Sequence, residues 1–311
     1  MKILTIGEIL AEIVATSKGD GFLDVQPLLG PFPSGAPAIF IDQAGKLGAP
    51  CAIISRVGDD DFGRLNLERL RRDGVDISGV AVARGEATGS AFVRYREDGS
   101  RRFVFNIAHS ACGRLEKTAE AARLMEECSH LHLMGSALSA PGMRDVALDA
   151  MQRIKARGGT LSFDPNLRAE LLDMPGMRDA LTQTLAQTDI FLPSGDELYL
   201  FTRAQEEDAA IAELLARGIG EIVLKRGERG ATHFSAQGRI DAPPIAVEEK
   251  DPTGAGDSFG GAFIALRLAG HDAGEALRYA NAAGACAVTV VGPMEGTSTR
   301  AELDALLAQA R

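Results

Sequence analysis

Short apolar runs and segments of helical period take turns along this chain, and that alternation restricts the fold more than any other feature. Leu131–Met134, Thr160–Phe163, Ile190–Leu192 and Glu221–Leu224 are strand-length runs, separated by helical spacing near 143–157, 177–187 and 207–217. Strand, crossover helix, strand implies parallel pairing, and right-handed crossovers put helices on both faces of the sheet. The N-terminal part starts the same way. Lys2–Ile6 reads as a buried strand ending at Gly7-Glu8, and Ala38–Leu47 has helical spacing that stops at Gly48. Cys51–Val57 is a second apolar strand, and Phe62–Arg72 a charged amphipathic helix closing near Gly74. Helical segments at 257–269, 273–291 and 299–310 complete the pattern. The expected architecture is α/β, three layers (α/β/α) around a mainly parallel central sheet, with residues 1–311 as one domain.

Between these stretches the period changes from helical to alternating. Ser90–Glu97 and Ser100–Ile107 flank Asp98-Gly99, the dipeptide favoured in a tight hairpin. Val93, Tyr95, Phe103 and Phe105 share one face of that hairpin, and Arg94, Arg96, Arg102 and Asn106 share the other. The basic face is either solvated or set over a ligand. Because the hairpin interrupts the α/β alternation, it reads as a small β lid formed by roughly 10–30 and 86–108.

Hydrophobic residues make up 45% of the chain and charged residues 24%, which supports a substantial core and argues against disorder. The formal charge of −10 argues against a nucleic-acid partner, which calls for a basic face. Met1–Gly7 is too short an apolar run for a signal peptide, and no run approaches the roughly 18 apolar residues of a membrane span, so a cytoplasmic protein is expected. Cys51, Cys112, Cys128 and Cys286 lack paired spacing and read as reduced thiols. His130 and His132, two apart in a strand, could form a metal pair or a structural one.

The segment Asp251-Pro252-Thr253-Gly254-Ala255-Gly256-Asp257 carries the chemistry. Small residues before a helix let backbone N–H groups converge on an anion, and the helix N-terminus adds unpaired donors and partial positive charge. Asp257 puts a carboxylate at the edge of that anion site, where it could take a proton from a hydroxyl. The pairing suggests phosphoryl transfer to an alcohol; the alternative is that Asp257 merely caps the helix. Ligands of open α/β sheets bind beyond the carboxyl ends of the strands. Asp164–Arg168, Pro193–Glu197 and Lys225-Arg226-Gly227 all fall at such ends.

These residues resemble the ribokinase-like family of ATP-dependent carbohydrate kinases over essentially the whole chain. Asp251–Asp257 is similar to that family's C-terminal signature, and Gly35-Ala36-Pro37-Ala38 through Gly58–Gly63 to its N-terminal one. Asp164–Arg168 and Lys225–Gly230 are similar to two further stretches in the same order. The resemblance implies ATP and Mg²⁺ as cofactors and a small β lid over the sugar. It implies Asp257 as base, with Gly254, Ala255 and Gly256 stabilising charge on the transferring phosphoryl group. Glu12, Gly35, Ala36, Asn106 and Arg168 would meet the sugar, with Asn166 and Arg168 between sugar and phosphates. Asn166, Lys225, Gly227 and Asn281 would line the nucleotide pocket, and Glu197 would help hold Mg²⁺ through water. Many relatives have a monovalent cation, so K⁺ near Asp251 and Thr253 is admitted. A homodimer through the lid is also implied. Ile39 and Ser194 depart from the family pattern, which often has Asn at both places.

Glu12 stands where relatives place an acid that binds sugar hydroxyls, which favours a neutral ketohexose such as fructose or tagatose. Relatives acting on 2-keto-3-deoxygluconate tend to have Arg late in the lid, where this chain reads Phe105–Ser110; Arg94, Arg102 or Arg168 could substitute. A nucleoside kinase and a non-catalytic sugar or nucleotide sensor are the remaining alternatives.

Overall fold

The computed structural model describes residues 1–166, 172 and 174–310. A nine-stranded sheet runs β13-β12-β11-β10-β9-β8-β1-β4-β5. Its strands are β1 (Ile3–Ile6), β4 (Cys51–Gly58), β5 (Asp76–Ala83), β8 (His130–Met134), β9 (Thr160–Asp164), β10 (Ile190–Phe191), β11 (Glu221–Lys225), β12 (Ala231–Ser235) and β13 (Gly238–Ala242). Pairing is parallel from β5 through β11 and antiparallel only at β11/β12 and β12/β13. A second sheet, order β3-β2-β6-β7, combines β2 (Leu10–Ala15), β3 (Leu28–Ser34), β6 (Gly89–Tyr95) and β7 (Arg101–Asn106). The two sheets meet where β1 ends and β2 begins, at Gly7–Ile9.

Helices cover both faces of the large sheet. On one lie α1 (Ala36–Lys46), α7 (Ala255–Leu268) and α8 (Ala273–Val288), around a core that includes Phe40, Phe263 and Ile53. On the other lie α3 (Ala119–Glu127), α4 (Pro141–Ala156), α5 (Met177–Leu185) and α6 (Glu207–Ala216), around Leu131, Phe163 and Phe191. The chain also contains α2 (Asp61–Arg72) and α9 (Arg300–Gln309). Local signals start these helices. Asp60 caps α2 by accepting from Gly63 N–H, Pro141 opens α4, and Thr299 and Glu302 form a capping box on α9. In α7 every residue from Asp257 to Leu266 is buried, so its run of small and apolar residues has no solvent side.

Four elements lie outside the sequence expectation: β5, α3, β12 and β13. Strand β13 is mostly exposed and reads Gly-Arg-Ile-Asp-Ala, so its pairing with β12 supplies the order that its own residues do not. The β6/β7 turn also differs. Arg96 N–H reaches Ser100 O at 2.8 Å and Gly99 N–H reaches Arg96 O at 3.1 Å, which makes a three-residue loop with Gly99 left-handed (φ 80°). Among the described residues no helix is long and apolar enough to cross a membrane.

The metal-pair reading of His130 and His132 does not hold. Both rings are fully buried and share the Ser162 hydroxyl, at 2.8 Å from His130 Nε2 and 2.7 Å from His132 Nδ1. Burial holds both below the ordinary histidine value, His130 at about 3, so they are neutral members of the sheet core. All four cysteines are free.

Candidate active site

A cleft of about 960 Å³ opens between the carboxyl ends of the parallel strands, the N-terminus of α7 and the small sheet. Glu8 follows β1, Asp164 ends β9, Ser194 follows β10 and Lys225 ends β11; all four line it. In a parallel sheet these ends share one edge, which gathers residues far apart in sequence.

The phosphate-ready side is built by the turn before α7. Gly254 is the N-cap, with φ 83° and no side-chain cap. A Cβ there would stand 2.3 Å from Pro293 O, so conformation and space both require glycine. Asp257 is the third residue of the helix, not its cap, which removes the capping alternative for that residue. First-turn N–H groups have no acceptor inside a helix; here they belong to Ala255, Gly256 and Asp257, and the Ala255 one reaches Pro252 O only at 3.5 Å.

Asp257 lines the cleft and is 8% exposed. Its Oδ1 accepts from Asn166 Nδ2 at 2.8 Å, which sets the carboxylate's orientation. Asn166 is left-handed (φ 39°), and its N–H donates to Asp164 Oδ1 at 3.1 Å. Asp164 Oδ2 in turn accepts from Lys225 Nζ in a buried ion pair. Burial works to lower the Lys225 pKa, but Asp164 and Glu197 outweigh it and hold the ammonium above its ordinary value. A Cβ on Gly256 would lie 3.6 Å from Lys225 Nζ, so this cation faces the start of α7. Glu197 lines the same wall, and its Oε2 accepts from Ser194 N–H at 2.8 Å in a capping box. Ser194 is the N-cap of the turn that carries Glu197, and its backbone makes the contacts: its N–H donates to the Glu197 carboxylate and its C=O accepts from Glu197 N–H at 3.0 Å. An acid at a polar cleft wall suits a hydrated divalent cation.

Opposite, the small sheet and the start of α1 form a second compartment. Glu12 is buried, with its Oε2 accepting from Ser34 Oγ at 3.1 Å, and Glu8 is buried beside the same space. Gly35, Ala36 and Ile39 line it as well, so an apolar side chain sits where the family often has Asn. Ala91 pairs with Phe105 and Val93 with Phe103, and Phe103 and Phe105 line the cleft with their rings stacked 5.0 Å apart. The hairpin thus turns the face that carries Phe103 and Phe105 towards the cleft. Arg94 is spent on the carbonyls of Ser17, Lys18 and Gly21. Asn106, paired with Ser90, falls on the same outer face by strand alternation and does not line the cleft.

Two more expected residues lie outside the cleft. Gly227 sits in the turn after β11, and Asn281, on α8, donates from Nδ2 to Pro243 O at 2.9 Å and Ala242 O at 3.1 Å. Its amide ties α8 to the chain after β13. Arg168 lies outside the described residues. Glu8, Ser136 and Ser139 line the cleft without having been singled out; the position of Glu8 just past β1 was the signal available for it.

The surroundings of Asp251 bear on a monovalent cation. Asp251 is 1% exposed; its Oδ1 accepts from Tyr95 Oη and from Thr253 N–H at 2.9 Å, and its Oδ2 from Gly292 N–H at 3.0 Å. Protein donors thus reach both oxygens, and this carboxylate does not fit the role of an open K⁺ ligand.

A doubly covered parallel sheet, a helix N-terminus facing a cleft, a fixed carboxylate beside it and a small sheet over it define a small-molecule phosphotransferase. The profile of the pfkB family carbohydrate kinases matches residues 1–300, and the chain belongs to that family. It is an ATP-dependent carbohydrate kinase with the ribokinase-like fold. An E. coli protein provisionally designated Ribokinase II, solved with ATP and Mg²⁺, is 50% identical at a TM-score of 0.93, with 99% of each chain covered. Fructokinase-1 of Oryza sativa subsp. japonica is 32% identical, covering 99% of this chain and 98% of the relative. A 2-dehydro-3-deoxygluconokinase of Thermoproteus tenax is 31% identical, covering 99% and 94%.

Proposed function

We propose that this enzyme transfers the γ-phosphoryl group of ATP to a hydroxyl of a neutral ketohexose of the fructose or tagatose type. The observation that carries the reading is the pair of buried carboxylates, Glu8 and Glu12, in the compartment across from Asp257. Carboxylates accept hydrogen bonds from sugar hydroxyls and repel an anionic sugar. Similarity to Fructokinase-1 supports the same choice. The runner-up is a 2-keto-3-deoxy sugar acid, favoured by the likeness to the Thermoproteus tenax kinase and by Arg96, Arg101 and Arg102 at the rim of the cleft.

In this reading the small sheet is a lid that excludes water from the cleft. Asp257, aimed by Asn166, takes the proton of the attacking hydroxyl as the sugar oxygen bonds to the γ-phosphorus and the bond to the β–γ bridging oxygen breaks. The first-turn N–H groups of Ala255 and Gly256 receive the charge on the equatorial oxygens, and Lys225 adds positive charge beside them. Mg²⁺, when bound, neutralises nucleotide phosphates, and Glu197 is the residue suited to hold it through water. Arg168 remains a candidate contact between sugar and phosphates. We further propose a homodimer through the lid, because its edge strands leave Leu28, Leu29 and Val104 exposed.

A coupled ADP-release screen tests the substrate: fructose and tagatose against ribose, adenosine and 2-keto-3-deoxygluconate. The expected result is highest kcat/KM for a ketohexose. Preference for the sugar acid overturns the reading, and sugar binding without ADP release would show a sensor instead.

A further inference from the structure

We propose that the Tyr95 hydroxyl takes the place of a monovalent cation at Asp251, so that the hairpin, and not K⁺, organises the anion loop. The inference rests on reading Asp251–Asp257 as the phosphate-side loop. A carboxylate that is 1% exposed needs compensation. Here it comes from a phenol and two backbone N–H groups: Tyr95 Oη and Thr253 N–H on Oδ1, Gly292 N–H on Oδ2.

Tyr95 ends β6, 156 residues from Asp251 in sequence, so the contact exists only when the hairpin rests on the loop. The other strand makes a parallel contact. Arg101, the first residue of β7, donates from Nη1 to Thr253 Oγ1 at 3.1 Å, and that oxygen is 3.4 Å from Tyr95 Oη. Each strand of the hairpin therefore places one donor on the turn that begins α7. Burial and the Asp251 carboxylate push the Tyr95 phenol above its ordinary value, which keeps it a donor throughout the working pH range. A cation at Oδ1 would have to displace that hydrogen, and the Arg101 guanidinium nearby repels it.

Tyr95 is accordingly a positioning residue: it acts through Asp251 and the loop, without a role at the reacting atoms. The test compares wild type with Tyr95→Phe, which keeps the ring and removes the donor, in KCl and in choline chloride at equal ionic strength. Two readouts are taken, the thermal midpoint of the ligand-free protein and kcat at saturating substrates. Wild type should be indifferent to the choice of salt in both. Tyr95→Phe should lose activity in choline and gain a K⁺-selective rise in midpoint of a few degrees, as the vacated oxygen accepts the ion. K⁺-selective stabilisation of wild type overturns the proposal, as does a Phe variant as indifferent as wild type. The wild-type arm decides by itself if the variant does not fold. The midpoint needs no turnover, so failure of the sugar assignment and failure of this proposal remain distinguishable.

Discussion

Replacing Lys225 by Met should expose how much of the site is held by one buried charge pair. Lys225 is 10% exposed at its side chain and Asp164 is 1% exposed, and the two are in direct contact. Methionine fills much of the lysine stem's volume, so the perturbation is chiefly electrostatic: Asp164 keeps the Asn166 N–H but loses its countercharge. Leaving a buried charge uncompensated costs about 3–5 kcal/mol. A domain of this size loses on the order of 2–3 °C per kcal/mol, so the midpoint should fall by roughly 6–15 °C. The chain has no Trp, so urea unfolding is followed by far-UV circular dichroism. The second arm is Lys225→Met with Asp164→Asn, which removes the stranded charge and should recover at least about 2 kcal/mol as a coupling energy. Activity should stay low in both, because Lys225 faces the start of α7. A single variant that costs under about 1 kcal/mol, or a double variant no more stable than the single, would refute the reasoning. The pair's contribution is complete below the ordinary lysine value of 10.5 and is lost only as pH rises through the higher folded value.

Asp257→Asn should lower kcat by about 10²–10⁴ while ATP affinity stays within several-fold, measured by steady-state kinetics and nucleotide titration. Near-normal turnover would exclude this residue as the base. Glu12→Gln should raise the KM for sugar about 10- to 100-fold with little change for ATP, because a hydrogen bond to a buried charged group is worth about 1.5–3 kcal/mol. Glu221 offers a pH test away from the cleft. Burial pushes its carboxyl up, but His233 and Arg267 outweigh burial and hold it at about 2, against an ordinary 4.5. Its stabilisation, about 3 kcal/mol by linkage, is present above pH 4.5 and lost as pH falls towards 2. Glu221→Gln should flatten acid unfolding in that window, and an unchanged profile would count against the assignment.

Elements specified by local pattern and elements specified by packing separate along a physical line. Strands β1, β4, β8, β9, β10 and β11 were legible because each is a short apolar run between helical segments. Gly254 and Asp257 were legible for the same kind of reason, since a small-residue turn entering a helix is a local pattern. Edge strands β5 and β13 were not, because they borrow their order from a neighbour. Asn106 and Asn281 were expected in the cleft from the resemblance; strand pairing turns one outward, and the carbonyls of Ala242 and Pro243 engage the other.

Local patterning alone therefore determined the α/β class, the lid hairpin and the loop that begins α7, since period and glycine placement act within a few residues. Tertiary structure alone decided which face of the hairpin looks into the cleft, that Glu8 joins Glu12 there, and that Tyr95 answers the charge of Asp251. Those outcomes depend on how two sheets are set against each other, and residues distant in the chain meet only after that packing has formed.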